Sequence, residues 1–284
     1  MRKLTLAVSP CPNDIFIFHA LMEGLVPPPR GVSLDVRLAD VEELNALAES
    51  GGADVVKVST AAYPRFADDY VLLRAGSALG RGCGPVVVVR PDADPAEIAA
   101  APVAVPGLLT TANLLLGLTG SFSRARLPMR YDQVMDAVAG GGVPVGVVIH
   151  EGRFTYGERG LSMYVDLGSW WEQAYGLPLP LGSIAARRDL GIEVVDGLNA
   201  AVRSSLEYAR ENPEASREAV RENARELSEE VIQAHIETFV TDFSLDVGRD
   251  GEHAVRVLLD EAFRIHGGEM VDPLYQPQLQ SPPV

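Results

Sequence analysis

The chain has 284 residues, 47% apolar and 22% charged, a composition that buries a core, over a length that suits about two domains at ~150 residues each. With 24 basic against 39 acidic residues its formal net charge is −15, which repels phosphate backbones and excludes nucleic acid as the expected partner. Two cysteines, Cys11 and Cys83, exclude a disulfide scaffold, and no apolar stretch approaches the ~18 residues of a membrane span.

A strand is predicted at Lys3–Ser9. Its apolar run is too short for a secretory signal, so the chain is expected in the cytoplasm. An apolar helix through His19 and Leu21 follows. Further strands are predicted at Val32–Leu38, Asp54–Ser59, Tyr70–Ala75, Pro85–Arg90, Val103–Val105, Val145–His150 and Met163–Asp166. Several are continuous Val/Ile/Leu runs of the kind buried on both faces of a sheet. Asp40 with Glu43 resembles a capping box opening a helix at Val41–Glu49, and helices are also predicted at Thr110–Leu118 and Tyr131–Ala139. The alternation predicts open α/β sheets, parallel or mixed, covered by helices. After residue 192 the pattern is a helical C-terminal segment: Glu193–Glu211, Pro213–Glu226, Glu229–Phe243 and Arg249–His266, expected to serve stability only, with a loose or draped end beyond Gly267. Breaks at 90–95 and 177–182 divide the chain into a first lobe, residues 1–90 and 182–284, and an inserted second lobe, residues 91–181. Two crossings between lobes describe a cleft that closes on a hinge.

Four polar clusters stand at predicted strand ends, where α/β sheets place ligands. In Ser9-Pro10-Cys11-Pro12-Asn13-Asp14, Ser9 and Asn13 can bond a ligand, or Asn13 or Asp14 caps the helix that follows. Cys11 reads as a packed thiol, with no local histidine partner. In Lys57-Val58-Ser59, alternation puts Lys57 and Ser59 on one face. Lys57 is one of only two lysines against 22 arginines; it is either the cation for a substrate carboxylate or the partner of a surface acid. In Gly107-Leu108-Leu109-Thr110-Thr111-Ala112, a helix N-terminus with two hydroxyls suits a carboxylate, and Thr is also an ordinary N-cap. Finally, a buried run delivers His150 beside Glu151-Gly152, the setting of a general base or of a structural histidine satisfied by Glu151. Of the other histidines, His19 reads as core, and His235, His253 and His266 as helix surface or packing. No second histidine stands at ligand spacing, so a zinc site is not expected, and no Walker or dinucleotide fingerprint occurs.

Together, these strings resemble the 1,4-dihydroxy-6-naphthoate synthase family of the futalosine route to menaquinone. The matching segments include Ser9 to Asp14, Lys57 to Ser59, Gly80-Arg81-Gly82-Cys83-Gly84-Pro85, Thr110 to Ala112, Ile149 to Tyr156, and Leu177 to Gly182. The similarity runs from about Leu4 to Val247, with Ile15 and Thr60 as departures from the family pattern. The resemblance implies a two-lobed type II periplasmic-binding-protein-like fold. It also implies a lyase acting without cofactor on cyclic dehypoxanthinyl futalosine, its small-molecule substrate. His150 would be the proton acceptor, and Lys57, Val58, Ser59, Thr110, Thr111 and Ala112 would bind substrate. The competing expectations are the chorismate dehydratase of the same pathway and a solute-binding protein for a small aromatic carboxylate.

Overall fold

The computed structural model describes residues 1–224 and 227–276. Eleven strands among the described residues form two mixed sheets. They are β1 (Arg2–Val8), β2 (Val32–Leu38), β3 (Val55–Ser59), β4 (Tyr70–Leu72), β5 (Ala78–Gly80), β6 (Val86–Val89), β7 (Val103–Val105), β8 (Arg126–Pro128), β9 (Val145–Val148), β10 (Ser162–Asp166) and β11 (Leu179–Arg187). The first sheet runs β2-β1-β3-β11-β4, with β5 also on β11; the second runs β10-β6-β9-β7-β8. β1 is parallel to β2 and β3, whereas β11 lies antiparallel to β3, β4 and β5. In the second sheet β7 is parallel to β8 and β9, and β6 antiparallel to β9 and β10. The mixed order follows from the chain leaving the first sheet after β5 and returning through β11.

The crossings differ from the sequence boundaries. Val86–Val89 pair with Val145–Val148, so the first crossing is at 81–85 and not beyond residue 90. β11 begins pairing with β5 at Leu179, so the return precedes residue 182. The first crossing touches the start of the helix Leu167–Tyr175 backbone to backbone. A Cβ on Gly168 would lie 1.8 Å from the Cys83 carbonyl oxygen, and one on Gly84 (φ +129°) would lie 2.9 Å from the Gly168 Cα. Only glycine fits there, which explains Gly84 in the matched segment 80–85 and Gly168 facing it.

The helix Pro12–Met22 buries every residue from Pro12 to Leu21, so its apolar character surrounds it on all sides. One sheet face covers it. The helices Ile192–Glu211, Pro213–Asn223 and Glu229–Phe239 pack against it from the C-terminal segment. Each of Ile15, Ile17 and Phe18 is fully buried, worth about 1.5–3 kcal/mol apiece. The helix expected to reach Phe243 stops at Phe239, where Val240 turns extended. The end of the helix expected at Pro213–Glu226 and the chain from 277 on lie outside the described residues, as does the side chain of His266. Before residue 277 the end is packed: Leu274 accepts the Leu72 amide at 2.9 Å, and Leu274 and Tyr275 are buried in the core under the β4 edge.

Candidate active site

A cleft open to solvent lies between the sheets. Ser9, Asn13, Lys57, Val58 and Ser59 line it from the first sheet, and Thr110, Thr111, Ala112 and His150 from the second. All nine candidate residues therefore face one space. Val41, Leu44, Ile149, Leu181 and Phe239 give it an apolar lining. Phe239 belongs to the C-terminal helices, so that segment supplies part of the cleft wall as well as stability.

The loop after β1 does not cap its helix. Cys11 is the N-cap, with no side-chain bond, and Pro12 at the first position has no N–H to satisfy. Asp14 instead collects donors from the surrounding side chains. Its carboxylate accepts from the Ser9 hydroxyl at 2.7 Å, Asn13 Nδ2 at 2.9 Å and the Ser9 amide at 3.3 Å. The Lys57 ammonium lies 2.9 Å away. Lys57 is 6% exposed and also donates to the Gly76 carbonyl at 3.1 Å. Its acid partner is thus buried, not on the surface, and its charge is neutralised inside the protein. Such a pair is retained because removing either member strands the other in a low dielectric.

Ser59 is held by Asn45, fully buried one helix away. Asn45 Oδ1 accepts the Ser59 amide at 2.9 Å and its Nδ2 donates to Ser59 Oγ at 3.2 Å. The hydroxyl proton of Ser59 is left for the cleft. Asn45 was invisible in the sequence as a site residue; its signal was only a polar side chain beside Leu44 on an apolar helix face.

On the opposite wall the threonine hydroxyls are already engaged. Thr110 Oγ1 donates to the Gly107 carbonyl and Thr111 Oγ1 to the Leu181 carbonyl, each at 2.8 Å. Thr110 also caps the helix Thr111–Leu118 through the Asn113 amide. What this wall offers a ligand is the amides of Thr111 and Ala112, which have no partner within a helix. The preceding amides are occupied: Glu42, from the first lobe, accepts from Leu108 at 2.8 Å and Leu109 at 3.3 Å. Gly107 permits the approach, since a Cβ there would meet Glu42 Cδ at 2.4 Å.

His150 follows β9 with φ +53°, the single non-glycine residue of positive φ among those described, a conformation costing about 1–2 kcal/mol. Its Nδ1 lies 3.6 Å from Cys11 Sγ, so the thiol does have a histidine partner, 139 residues away. Nε2 has no partner among the described residues. No hydrogen bond joins Glu151 to the ring among the described residues; Glu151 acts on it through charge. Tyr131 packs edge-on at 5.1 Å, and His235 stacks at 6.2 Å with planes 25° apart. His235, expected as surface or packing, is fully buried with both ring nitrogens unpartnered. Phe239 holds it at 4.6 Å, one helical turn on. Desolvation pushes the His150 imidazole below its ordinary pKa, against the pull of Glu151 and Asp14. Desolvation, then the charge of His150, drives His235 far lower. Burial, reinforced by Glu151 and Asp14, pushes the Cys11 thiol up. The pair is therefore a neutral imidazole beside a protonated thiol, not a thiolate–imidazolium nucleophile.

The family model described as menaquinone biosynthesis matches residues 4–264. A protein of Thermus thermophilus named 1,4-dihydroxy-6-naphtoate synthase is 50% identical over 264 residues, 92% of this chain and 94% of its own. One of the same name from Streptomyces coelicolor is 46% identical, over 91% and 92% of the two chains. Among solved structures, protein AF1704 of Archaeoglobus fulgidus superposes with a TM-score of 0.84 at 34% identity, covering 93% of this chain and 98% of that one. The periplasmic aliphatic sulphonate binding protein of Escherichia coli gives 0.64 at 12% identity, over 100% and 96% of the chains, a likeness of fold alone. The architecture is thus the two-lobed α/β fold of periplasmic binding proteins, and the chain belongs to the menaquinone biosynthesis family.

Proposed function

We propose that this chain is a lyase that converts cyclic dehypoxanthinyl futalosine into 1,4-dihydroxy-6-naphthoate and a small sugar-derived ketone fragment, with His150 as the general base. The observation that carries the reading is that His150 and uncommitted donors of the opposite wall share one cleft, in a chain half identical to a relative named for that product. His150 Nε2 takes the proton whose removal starts the elimination. The Ser59 hydroxyl bonds the oxygen on which enolate-like charge develops, and the Thr111 and Ala112 amides receive the substrate's carboxylate. Val58 and the other apolar residues of the lining hold the ring system. Asn13 keeps an amide oxygen and one N–H for the sugar.

Lys57 serves this chemistry indirectly, by fixing Asp14. Aromatisation of the bound ring drives bond cleavage, so the protein need only orient the spirocycle and exclude water, which a cleft between hinged lobes does. The test is incubation of the purified chain with the cyclic substrate, following naphthoate by absorbance and chromatography. Naphthoate formed in proportion to enzyme is the expected result. Substrate recovered unchanged yet tightly bound would replace the lyase reading with that of a solute-binding protein.

A further inference from the structure

We propose that Arg153 is a positioning residue for His150: its guanidinium grips the Gly82 and Gly84 carbonyls of the first crossing and so holds the strained turn that carries the imidazole into the cleft. The inference rests on the assignment of His150 as base and asks what keeps that base in place.

His150 follows β9 and leads the chain into the short helix Gly152–Thr155. Its φ of +53° is a conformation that persists only where the surroundings over-determine it. Within the turn, the Gly152 amide donates to the Ile149 carbonyl at 3.1 Å and the Arg153 amide to the His150 carbonyl at 3.3 Å. These bonds are local, and a turn held by them alone can relax as a unit. Phe154 and Arg153 anchor it from outside. The Phe154 ring packs against His235 and Phe239, with centroids 6.4 Å apart in each case. Arg153 reaches the first crossing. Its Nη1 donates to the Gly84 carbonyl at 3.1 Å, and its Nη2 to the Gly82 carbonyl at 3.3 Å and to Asp166 Oδ2 at 2.7 Å. Apart from the contact of His150 with Cys11, no other side-chain hydrogen bond ties residues 150–155 to another element among the described residues.

The far end of this clamp is itself fixed. The Gly82 amide donates to Glu172 Oε1 at 2.7 Å, and the Leu167 amide to the Pro85 carbonyl at 3.0 Å. Arg81 Nη2 donates to the Gly176 carbonyl at 2.9 Å, which joins this crossing to the chain that leads into β11. Asp166 is committed as well: its Oδ1 caps the helix Leu167–Tyr175 through the Ser169 amide at 2.9 Å. A guanidinium suits such a set of acceptors because its donors lie in one planar fork, whereas an ammonium is a compact point charge. The Arg153 and Asp166 side chains are only 17% and 16% exposed, so water is poorly placed to replace a lost bond. The carboxylate fixes the guanidinium, and the two carbonyls register the base to the segment that joins the lobes rather than to its own sheet alone.

The test sets Arg153→Lys against Asp166→Asn. Arg153→Lys keeps a cation beside Asp166 and loses the fork on the carbonyls; Asp166→Asn keeps the fork and an acceptor and loses the ion pair. In Arg153→Lys, kcat for naphthoate formation is expected to fall ~10-fold or more with KM little changed, and in Asp166→Asn to stay close to wild type. Placement is read separately, by magnetic resonance of the full-length protein carrying isotopically labelled histidine, with the His150 signals identified by their loss in His150→Asn. The Cα shift and backbone coupling that report φ at His150 should move in Arg153→Lys and stay in Asp166→Asn. Should the lysine variant fail to fold, Arg153→Gln/Asp166→Asn repeats the comparison without stranding a carboxylate. Unaltered His150 signals and kcat in a variant that has lost the fork, with only urea stability reduced, would make Arg153 a structural clamp and overturn the proposal. An equal loss of kcat in Asp166→Asn would overturn it too, by assigning the effect to the ion pair. Because the spectrum is read without substrate, it is independent of the lyase reading, which fails separately if the wild type forms no naphthoate.

Discussion

The two walls of the cleft handle polarity in opposite ways. On the first-sheet wall, Lys57, Asp14, Ser9 and Cys11 close upon one another, and donors are matched to acceptors inside the protein. On the facing wall, the helix start at Thr111–Ala112 leaves amides open, and its neighbours at Leu108 and Leu109 are matched by Glu42, reaching from the other lobe. One wall is complete before a ligand arrives; the other is completed from across the gap. The closed network suits the placing of a base, because rotamers locked by bonds do not reorganise during reaction. The open helix start suits a ligand that must enter and leave.

Breaking the comparison at its catalytic point should have the largest effect. In His150→Asn, which tolerates the positive φ at this position, we expect kcat to fall about 10²–10⁴-fold, the range for a general base. Substrate binding, measured by calorimetry, should persist. Retained turnover would move the base elsewhere, and loss of binding together with turnover would make the ring structural.

Next in size is the ion pair of the closed wall. Lys57→Met leaves Asp14 buried without its counter-charge, and a loss of about 3–5 kcal/mol in denaturant unfolding is expected. Adding Asp14→Asn should recover part of it, since the stranded charge is then gone. A Lys57→Met protein of undiminished stability with only a raised KM would restore Lys57 as the cation for a substrate carboxylate.

The same contrast explains what was legible in the sequence. Runs such as Val86–Val89 and Val145–Val148 announce buried strands because every residue agrees with its neighbours. The open wall was readable for a related reason: a Gly-containing loop before Thr110 is local chemistry, and the cap is where the pattern put it. β11 was largely hidden, although it is central to the first sheet, because Pro180, Gly182 and Ser183 interrupt its apolar pattern; pairing with β3, β4 and β5 overrides propensity there. The closed wall was hidden in its connections. Ser9, Cys11, Asp14 and Lys57 were each visible, but nothing local says that Asp14 binds Lys57 rather than capping a helix. Likewise nothing near Cys11 points to His150. His235 read as helix surface or packing because its setting depends on a helix folding back over the second lobe.

That buried histidine gives the third prediction. His235 and His150 both titrate below their ordinary value in the folded chain, while in the unfolded chain they titrate near 6.5. Below that pH the unfolded chain takes up protons that the folded one refuses, so stability falls as pH drops from about 6.5 toward the depressed folded values. The slope should reach about 1.4 kcal/mol per pH unit for each histidine. Denaturant unfolding between pH 7 and 5 measures it, and His235→Phe should remove about half of the slope. An equal slope in that variant would show that carboxylates, not this ring, carry the acid sensitivity.

The smallest effect expected is at the junction between the walls. Glu42 sits on the Leu108 and Leu109 amides as an internal carboxylate at a helix N-terminus, where a negative charge is worth about 0.3–1 kcal/mol. Glu42→Gln keeps an acceptor and loses the charge, so hydrogen exchange at these two amides should quicken a few-fold while the Thr5 and Ser9 amides stay protected. Gly107→Ala pushes a methyl group into Glu42 and so opens the same contact by force. Shortening the acid as well, in Gly107→Ala/Glu42→Ala, relieves the collision but not the strain of alanine at φ +153°. The double variant should therefore be more stable than the sum of the singles yet below wild type. Strict additivity would mean that the lobes do not meet through this carboxylate, and the second wall would then owe its order to the Thr110 cap alone.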